Sequence, residues 1–268
     1  MHIRVNGIAL NVEQSGAGRS LLLLHGFTGS AATWAPLKGV LAPLFHTIAP
    51  DLIGHGRSDS PAYPDRYRMD RCVADLLALL DALEVARADV LGYSMGGRVA
   101  LHLAVAAPDR VGALVLESSS PGIADAAERQ ARIAADETLA DAIKVEGLEA
   151  FVERWERLPL FASQAALPED TRARLHAQRL RNNPLGLANS LRGMGTGQQE
   201  SLWDRLAGLN IPTLLIVGEL DTKYCALAGA MCALLSNARA VIVPGAGHAV
   251  HLEQPQTFAK NVLEFLGT

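Results

Sequence analysis

The chain has 268 residues, 49% of them hydrophobic and 19% charged, with a formal net charge of −4. That is enough apolar material for a large core and too much for disorder, and the weakly acidic balance gives no global field toward nucleic acid or an anionic membrane. The length suits one open α/β core carrying an insertion.

Three scattered cysteines, Cys72, Cys225 and Cys232, lack metal-ligand spacing and read as free buried thiols of a reducing compartment. The opening MHIRVNGIAL has none of the regions of a secretion signal. The nearby apolar run Leu21–Leu24 falls far short of the roughly 18 residues of a membrane span. An unprocessed cytoplasmic protein without membrane insertion is expected.

Along the chain, Ile3–Val5 and Ile8–Val12 flank Asn6-Gly7, a hairpin-turn pair, so the sheet should begin antiparallel. Short strands follow at Ser20–Leu24, ended by His25-Gly26, and at His46–Ala49, stopped by Pro50. Asp70–Leu83 has helical spacing, with Val73, Leu76, Leu77, Leu80 and Leu83 on one face. Ala88–Leu91 is a strand running into Gly92, Met95–Ala107 a small-residue helix ended by Pro108, and Ala113–Leu116 a further strand. Such alternation predicts a mainly parallel sheet covered on both faces. From about Ser120 to Leu206 no strand is recognisable and helical segments dominate. The pattern then resumes with buried strands at Thr213–Val217 and Ala240–Val243 and helices at Ala226–Leu235 and Gln256–Leu266. The expected organisation is a sheet domain over 1–119 and 207–268, interrupted by a helical cap over 120–206.

The sharpest chemical signal is Gly92-Tyr93-Ser94-Met95-Gly96-Gly97, set between a strand and a helix. In G-x-S-x-G the serine occupies a tight, strained turn, and small flanking residues prevent a clash. The turn lifts the hydroxyl to a helix N-terminus, where developing negative charge is favoured. On such a scaffold an acid and then a histidine follow in the chain. Asp221 stands after Thr213–Val217 and His248 after the next strand, in Pro244-Gly245-Ala246-Gly247-His248. Both loops open on the rim that carries Ser94. His248 would take the serine proton and Asp221 would orient the imidazole.

Competing readings exist for each partner. Asp221 could be only a helix N-cap, Glu117 at the end of the Ala113–Leu116 strand is the rival acid, and His251 is the rival base. The second oxyanion donor should follow Ser20–Leu24, in His25-Gly26-Phe27-Thr28-Gly29, so the N–H groups of Phe27 and Met95 are the expected pair. His25 reads as architectural. The loop Asp51-Leu52-Ile53-Gly54-His55-Gly56-Arg57-Ser58 has no Lys-Ser/Thr pair after it, so it is structural rather than a phosphate cradle.

With these motifs assembled, nearly the full chain resembles the α/β-hydrolase superfamily. Further landmarks lie in the insertion: Ser118-Ser119-Ser120-Pro121-Gly122, Arg129 and Arg132, Trp155 with Leu158-Pro159-Leu160-Phe161, Arg179 before Asn182-Asn183-Pro184, and Leu191-Arg192-Gly193-Met194-Gly195-Thr196-Gly197-Gln198. With Tyr93, Arg98 and Gly218-Glu219-Leu220-Asp221-Thr222-Lys223, they resemble the 2-succinyl-6-hydroxy-2,4-cyclohexadiene-1-carboxylate synthases of menaquinone biosynthesis. The resemblance implies a cofactor-independent lyase that removes pyruvate from an enolpyruvyl cyclohexene carboxylate. Ser94 would act as general base and not as nucleophile.

The substrate would be a small polycarboxylate, which suits the planar fork of arginine. The resemblance assigns carboxylate binding to Arg98, Arg132 and Arg179, and makes Tyr93, Trp155 and Phe161 the walls of the ring pocket. Arg98 also lies one helical turn beyond Ser94, on the same face. Arg129, Arg192 and Lys223 rank below these. The insertion has no positive excess, so its arginines could equally be solvated partners of neighbouring glutamates. Two alternatives remain at this point: a serine esterase, thioesterase or lactonase working through an acyl-enzyme on Ser94, and a non-catalytic receptor that keeps the pocket.

Overall fold

A computed structural model describes residues 1–267. β1 (His2–Val5) and β2 (Ile8–Ser15) form the expected antiparallel hairpin, with Val5 opposite Ile8. Asn6 and Gly7 both have positive φ, 44° and 84°, as a two-residue turn matched to strand twist requires. β3 (Arg19–Leu24), β4 (Phe45–Pro50), β5 (Ala88–Tyr93), β6 (Val111–Glu117), β7 (Thr213–Gly218) and β8 (Ala238–Val243) complete an eight-stranded sheet. Its order is β1-β2-β4-β3-β5-β6-β7-β8, and every pair from β4 onward is parallel.

The continuous apolar run in β3 follows from burial on both faces. Leu22 and Leu24 enter one layer with Leu76, Val99 and Met231, from helices α2 (Met69–Ala82), α3 (Met95–Ala106) and α8 (Thr222–Leu234). Leu21 and Leu23 enter the other, with Trp34, Leu41 of α1 (Lys38–Leu41), and Phe258 and Val262 of α10 (Pro255–Leu266). The period of two along a strand thus feeds two cores, and each buried leucine contributes about 2 kcal/mol.

Between β6 and β7 the chain adds no strand. It forms α4 (Ala126–Glu146), α5 (Leu148–Glu156), α6 (Glu169–Arg179) and α7 (Pro184–Met194) around a small core of its own that includes Ile143, Phe151 and Leu187. Side chains fix two of these starts. Asp125 accepts from the Glu128 N–H at 2.8 Å, and Asn183 accepts from Leu185 N–H at 2.9 Å ahead of Pro184. Asn182 ties this layer to the sheet domain, donating to Thr28 O at 2.8 Å and accepting from Gly56 N–H at 2.9 Å. Where α7 crosses the loop after β4, a Cβ on Gly186 would stand 2.3 Å from Gly54 O. No bulkier residue fits there.

Three expectations need correction. β8 is not a buried strand: it is the sheet edge, and only its last residue, Val243, is buried. The apolar sequence Ala240–Val243 cannot reveal that nothing pairs beyond it. Helix α8 begins at Thr222 and not Ala226, because Asp221 caps it, accepting from Tyr224 N–H at 3.3 Å. Of the three free cysteines only Cys72 is buried, its thiol pushed up to about 12 by burial, whereas Cys225 and Cys232 are partly exposed. Among the described residues no helix is long and apolar enough to cross a membrane.

His25 is architectural, as expected: its Nε2 accepts from Leu52 N–H at 2.9 Å. The nearby Asp51 carboxylate accepts from Ala31 N–H, Arg57 N–H and Asn11, so the loop after β4 is held as structure. Burial keeps three imidazoles neutral. His25 is lowered, His55 is pushed down to about 3 by burial and by His25, and His102 on α3 to about 4 by burial and by Arg98. Groups depressed below 6.5 take up protons on unfolding as pH falls, so the stability they guard is complete above 6.5 and is lost toward 4 and 3. His55 and His102 together represent about 3 kcal/mol at a pH near 5.5, at 1.36 kcal/mol per unit. Thermal unfolding at pH 7.5 and 5.5 should show Tm lower at 5.5 by roughly 6–12 °C. An unchanged Tm would mean that these imidazoles accept protons within the fold.

Candidate active site

Ser94 lies at the junction of β5 and α3 with φ 50° and ψ −107°, a conformation costing a non-glycine residue roughly 1–3 kcal/mol. Its surroundings impose it. The Ser94 N–H donates to Glu117 O at 2.8 Å, and its carbonyl accepts from Arg98 N–H at 3.1 Å and Ser119 Oγ at 3.2 Å. A Cβ on Gly92 would lie 2.4 Å from Gly96 O, and one on Gly96 2.1 Å from Leu24 O. The glycines of the motif are therefore demanded by close approach of backbone on both sides of the serine.

The histidine loop after β8 and the acidic loop after β7 converge on this turn. His248 Nε2 stands 3.1 Å from Ser94 Oγ, and His248 Nδ1 stands 2.6 Å from Asp221 Oδ2. Both Asp221 and His248 are buried. Asp221 uses its two oxygens differently: Oδ1 caps α8 and Oδ2 faces the imidazole. An acceptor at Nδ1 places the ring proton there and frees Nε2 to accept from the serine. The His248 ring is enclosed by Tyr224 at 4.7 Å, Tyr93 at 5.5 Å and Phe161 at 6.0 Å between centroids.

The rival acid and rival base bind each other instead. Glu117 accepts from the His251 backbone N–H at 2.9 Å and from His251 Nδ1 at 2.8 Å. Neither side chain hydrogen-bonds Ser94 Oγ or the His248 ring.

Ser94 and His248 open on a cavity between the sheet and the helical insertion. Of the residues singled out in the sequence, Phe27, Met95, Arg98, Arg132, Tyr93, Trp155 and Phe161 line it. Arg179 does not. It lines a second, smaller cavity behind Tyr93, Trp155 and Phe161, where it donates to Glu156 Oε1 at 2.7 Å and lies over the Phe161 ring.

Arg98 is buried and pushed down to about 10, chiefly by burial, so it stays cationic at neutral pH. Its Nη1 donates to Met194 O at 2.7 Å and Gln199 Oε1 at 2.5 Å. Arg132 engages Asp136 through Nε at 2.8 Å, leaving its Nη groups without a protein hydrogen bond among the described residues. Burial raises the Asp136 carboxyl, with Arg132 opposing. Arg192 is held by Glu137 and Asp141, outside the cavity. Among the described residues no group of three or more His, Cys, Asp or Glu side chains is placed to hold a metal.

Three site residues escaped the sequence reading. Tyr224, on the cavity wall, lies three residues after Asp221, and that spacing from the acid was the available signal. Gln199, partner of Arg98, and Glu156, partner of Arg179, are long-range pairings without a local signature.

This architecture and this serine–histidine–aspartate geometry define an α/β hydrolase, and residues 19–255 match the alpha/beta hydrolase fold family. A Bacillus subtilis (strain 168) protein provisionally named 2-succinyl-6-hydroxy-2,4-cyclohexadiene-1-carboxylate synthase is 48% identical over 97% of this chain and 96% of its own. The synthase of that name from Enterobacter sp. (strain 638) is 32% identical, over 92% of this chain and 91% of its own. The structure of MenH from S. aureus superposes with a TM-score of 0.91 at 34% identity, covering 96% of this chain and 97% of that one. The chain belongs to the 2-succinyl-6-hydroxy-2,4-cyclohexadiene-1-carboxylate synthase family of α/β hydrolases.

The divided roles of Asp221 can be separated. Asn caps a helix about as well as Asp but cannot hold the imidazole in the same tautomer. Asp221→Asn should leave Tm nearly unchanged while slowing fluorophosphonate labelling of Ser94 by on the order of 10³ or more. Equal labelling rates would remove Asp221 from the reactive set.

Proposed function

We propose that the protein is a lyase eliminating pyruvate from 2-succinyl-5-enolpyruvyl-6-hydroxy-3-cyclohexene-1-carboxylate, with Ser94, activated by His248 and Asp221, as general base. The observation that carries this reading is the sharing of one cavity by Ser94 and two cationic side chains, Arg98 and Arg132. A substrate with several carboxylates finds there both the base and the charges to bind it.

In this reading His248 Nε2 accepts the Ser94 proton, and the alkoxide removes a proton from carbon beside a carbonyl. The C–H electrons form a double bond to the neighbouring ring carbon, and the existing ring double bond shifts one position along the ring. The C–O bond to the enolpyruvyl group breaks, and the enolate of pyruvate departs to be protonated at carbon. The N–H groups of Phe27 and Met95 stabilise the developing negative charge. Trp155, Phe161 and Tyr93 enclose the ring and exclude water, which strengthens each charged contact. The free Nη groups of Arg132 bind a carboxylate directly. Arg98, spanning α3 and the end of α7, supplies fixed positive charge near the serine. Arg179, in its separate cavity, reaches a ligand only by exchanging Glu156 for a substrate carboxylate. The helical segment 120–206 acts as the cap over the site, and the reaction takes place in the cytoplasm without a bound cofactor.

An acyl-enzyme esterase would use the same triad but would gain nothing from cations beside a neutral acyl chain. Purified protein should release pyruvate from the enolpyruvyl precursor, and Ser94→Ala and Arg132→Ala should suppress this far more than they lower Tm. Losing a charge-assisted carboxylate contact at Arg132 is expected to lower kcat/KM by roughly 10- to 100-fold. Background pyruvate release together with efficient Ser94-dependent cleavage of a short aryl ester would overturn the reading in favour of an esterase.

A further inference from the structure

Beside the Ser94–His248–Asp221 set lies a second acid–histidine pair with no part in the proton path described above. Glu117 ends β6 and is fully buried. It holds the active serine and the histidine loop at once, with different atoms. Its carbonyl accepts the Ser94 N–H at 2.8 Å. Its carboxylate accepts from the His251 backbone N–H at 2.9 Å and from His251 Nδ1, 2.9 Å from Oε1 and 2.8 Å from Oε2.

His251 sits in the single-turn helix α9 (Val250–Glu253), one turn after His248. Its ring packs 4.7 Å from Tyr93 and 5.2 Å from Trp34. Tyr93 lies between the two histidines, at 5.5 Å from His248, and its ring also closes on Gly26, where a Cβ would meet it at 2.7 Å. One carboxylate and one imidazole therefore set the distance between the serine turn and the histidine loop, and fix the tyrosine between them.

We infer that Glu117 and His251 are positioning residues, a buried clamp that keeps Ser94 Oγ within reach of His248 Nε2. The inference rests on the reading of Ser94, His248 and Asp221 as the reactive set. The clamp acts through geometry alone. Two oxygens of Glu117 serve a backbone N–H and a ring N–H, a demand that an amide cannot meet without forcing the other tautomer on His251. His251→Asn keeps a donor close to the position of Nδ1, whereas His251→Leu leaves the carboxylate unpaired.

The test is the rate of fluorophosphonate labelling of Ser94 in the full chain, read by intact mass across pH. Pyruvate release is measured in parallel, and only variants with wild-type near-ultraviolet circular dichroism are compared. Glu117→Gln and His251→Leu should label roughly 10- to 100-fold more slowly, the scale of a small misplacement of reacting groups. The pH midpoint of labelling should not move, because His248 and Asp221 are untouched, and any kcat loss should come with KM unchanged. His251→Asn should label near the wild-type rate. Wild-type labelling by folded Glu117→Gln, a midpoint that moves with the rate, or His251→Asn as slow as His251→Leu would each overturn the clamp. If the wild type labels but releases no pyruvate, the proposed reaction fails and the clamp is still judged by the labelling series. If the wild type does not label, both fail.

Discussion

Everything at this site hangs on a serine held at φ 50°, where an isolated chain would not leave it. The turn persists because its environment over-determines it. Gly96 lies against the carbonyl ending β3, Gly92 against Gly96, and β6 accepts the Ser94 N–H. The stabilising contacts come from the central strands, whose side chains are buried in two separate apolar layers. The cost of the strained turn, roughly 1–3 kcal/mol, is small against one buried leucine layer of the sheet. The strain is affordable only because the turn stands at the middle of the sheet. At β8, exposed along one edge, the same geometry would lack support on one side.

Charge is placed with comparable economy. A buried guanidinium is expensive unless it is hydrogen-bonded, and Arg98 meets that condition by donating to Met194 O and Gln199, both beyond the last strand before the insertion. One cation beside the serine thus also ties α3 to the helical layer. Arg132 is the complementary case: half-exposed, paired on one edge with Asp136, its remaining donors uncommitted. Asp136 is itself buried, so removing Arg132 would strand a carboxyl that burial already pushes toward neutrality. The cavity therefore gathers positive charge in two forms, one fixed by the fold and one with free donors.

The sheet, the serine turn and the convergence of Ser94, Asp221 and His248 on one rim were legible because each has a local cause. Alternation builds strands, glycine spacing marks the elbow, and a residue just past a buried strand must lie on its C-terminal rim. What was not legible depends on neighbours far apart in sequence. Ala240–Val243 reads as buried, and only the sheet order makes it an edge. Asp221 offers two readings in sequence, cap or acid, and in the fold one of its oxygens caps α8 while the other faces the His248 ring. Glu117 and His251, 134 positions apart, competed as alternative members of the reactive set, and folding pairs them with each other. Arg179 was matched by motif, but which wall of which cavity it occupies is decided by Phe161 and Glu156.

That last distinction bears on how one scaffold can serve unlike reactions. Under the proposed function the serine, the imidazole and the two proposed backbone donors would be the same apparatus whether the alkoxide attacked a carbonyl carbon or took a proton from its neighbour. What differs is the placement of the substrate over the serine, and that is set from the opposite wall. Here that wall carries Arg132 and Trp155 from the helical insertion, over Ser94 and Arg98 from the sheet domain. A carboxylate drawn to a cation on the wall is held at a fixed distance from the serine oxygen, so a carbonyl carbon and an adjacent C–H cannot both be presented to it. Under the proposed reaction, selectivity between elimination and hydrolysis therefore lies in the spacing between the Arg132 fork and Ser94 Oγ, a property of how the insertion seats on the sheet. Asn182, which bonds loops after β3 and β4 at once, and Gly186 against Gly54 set that seating, although neither residue lines the cavity that holds Ser94.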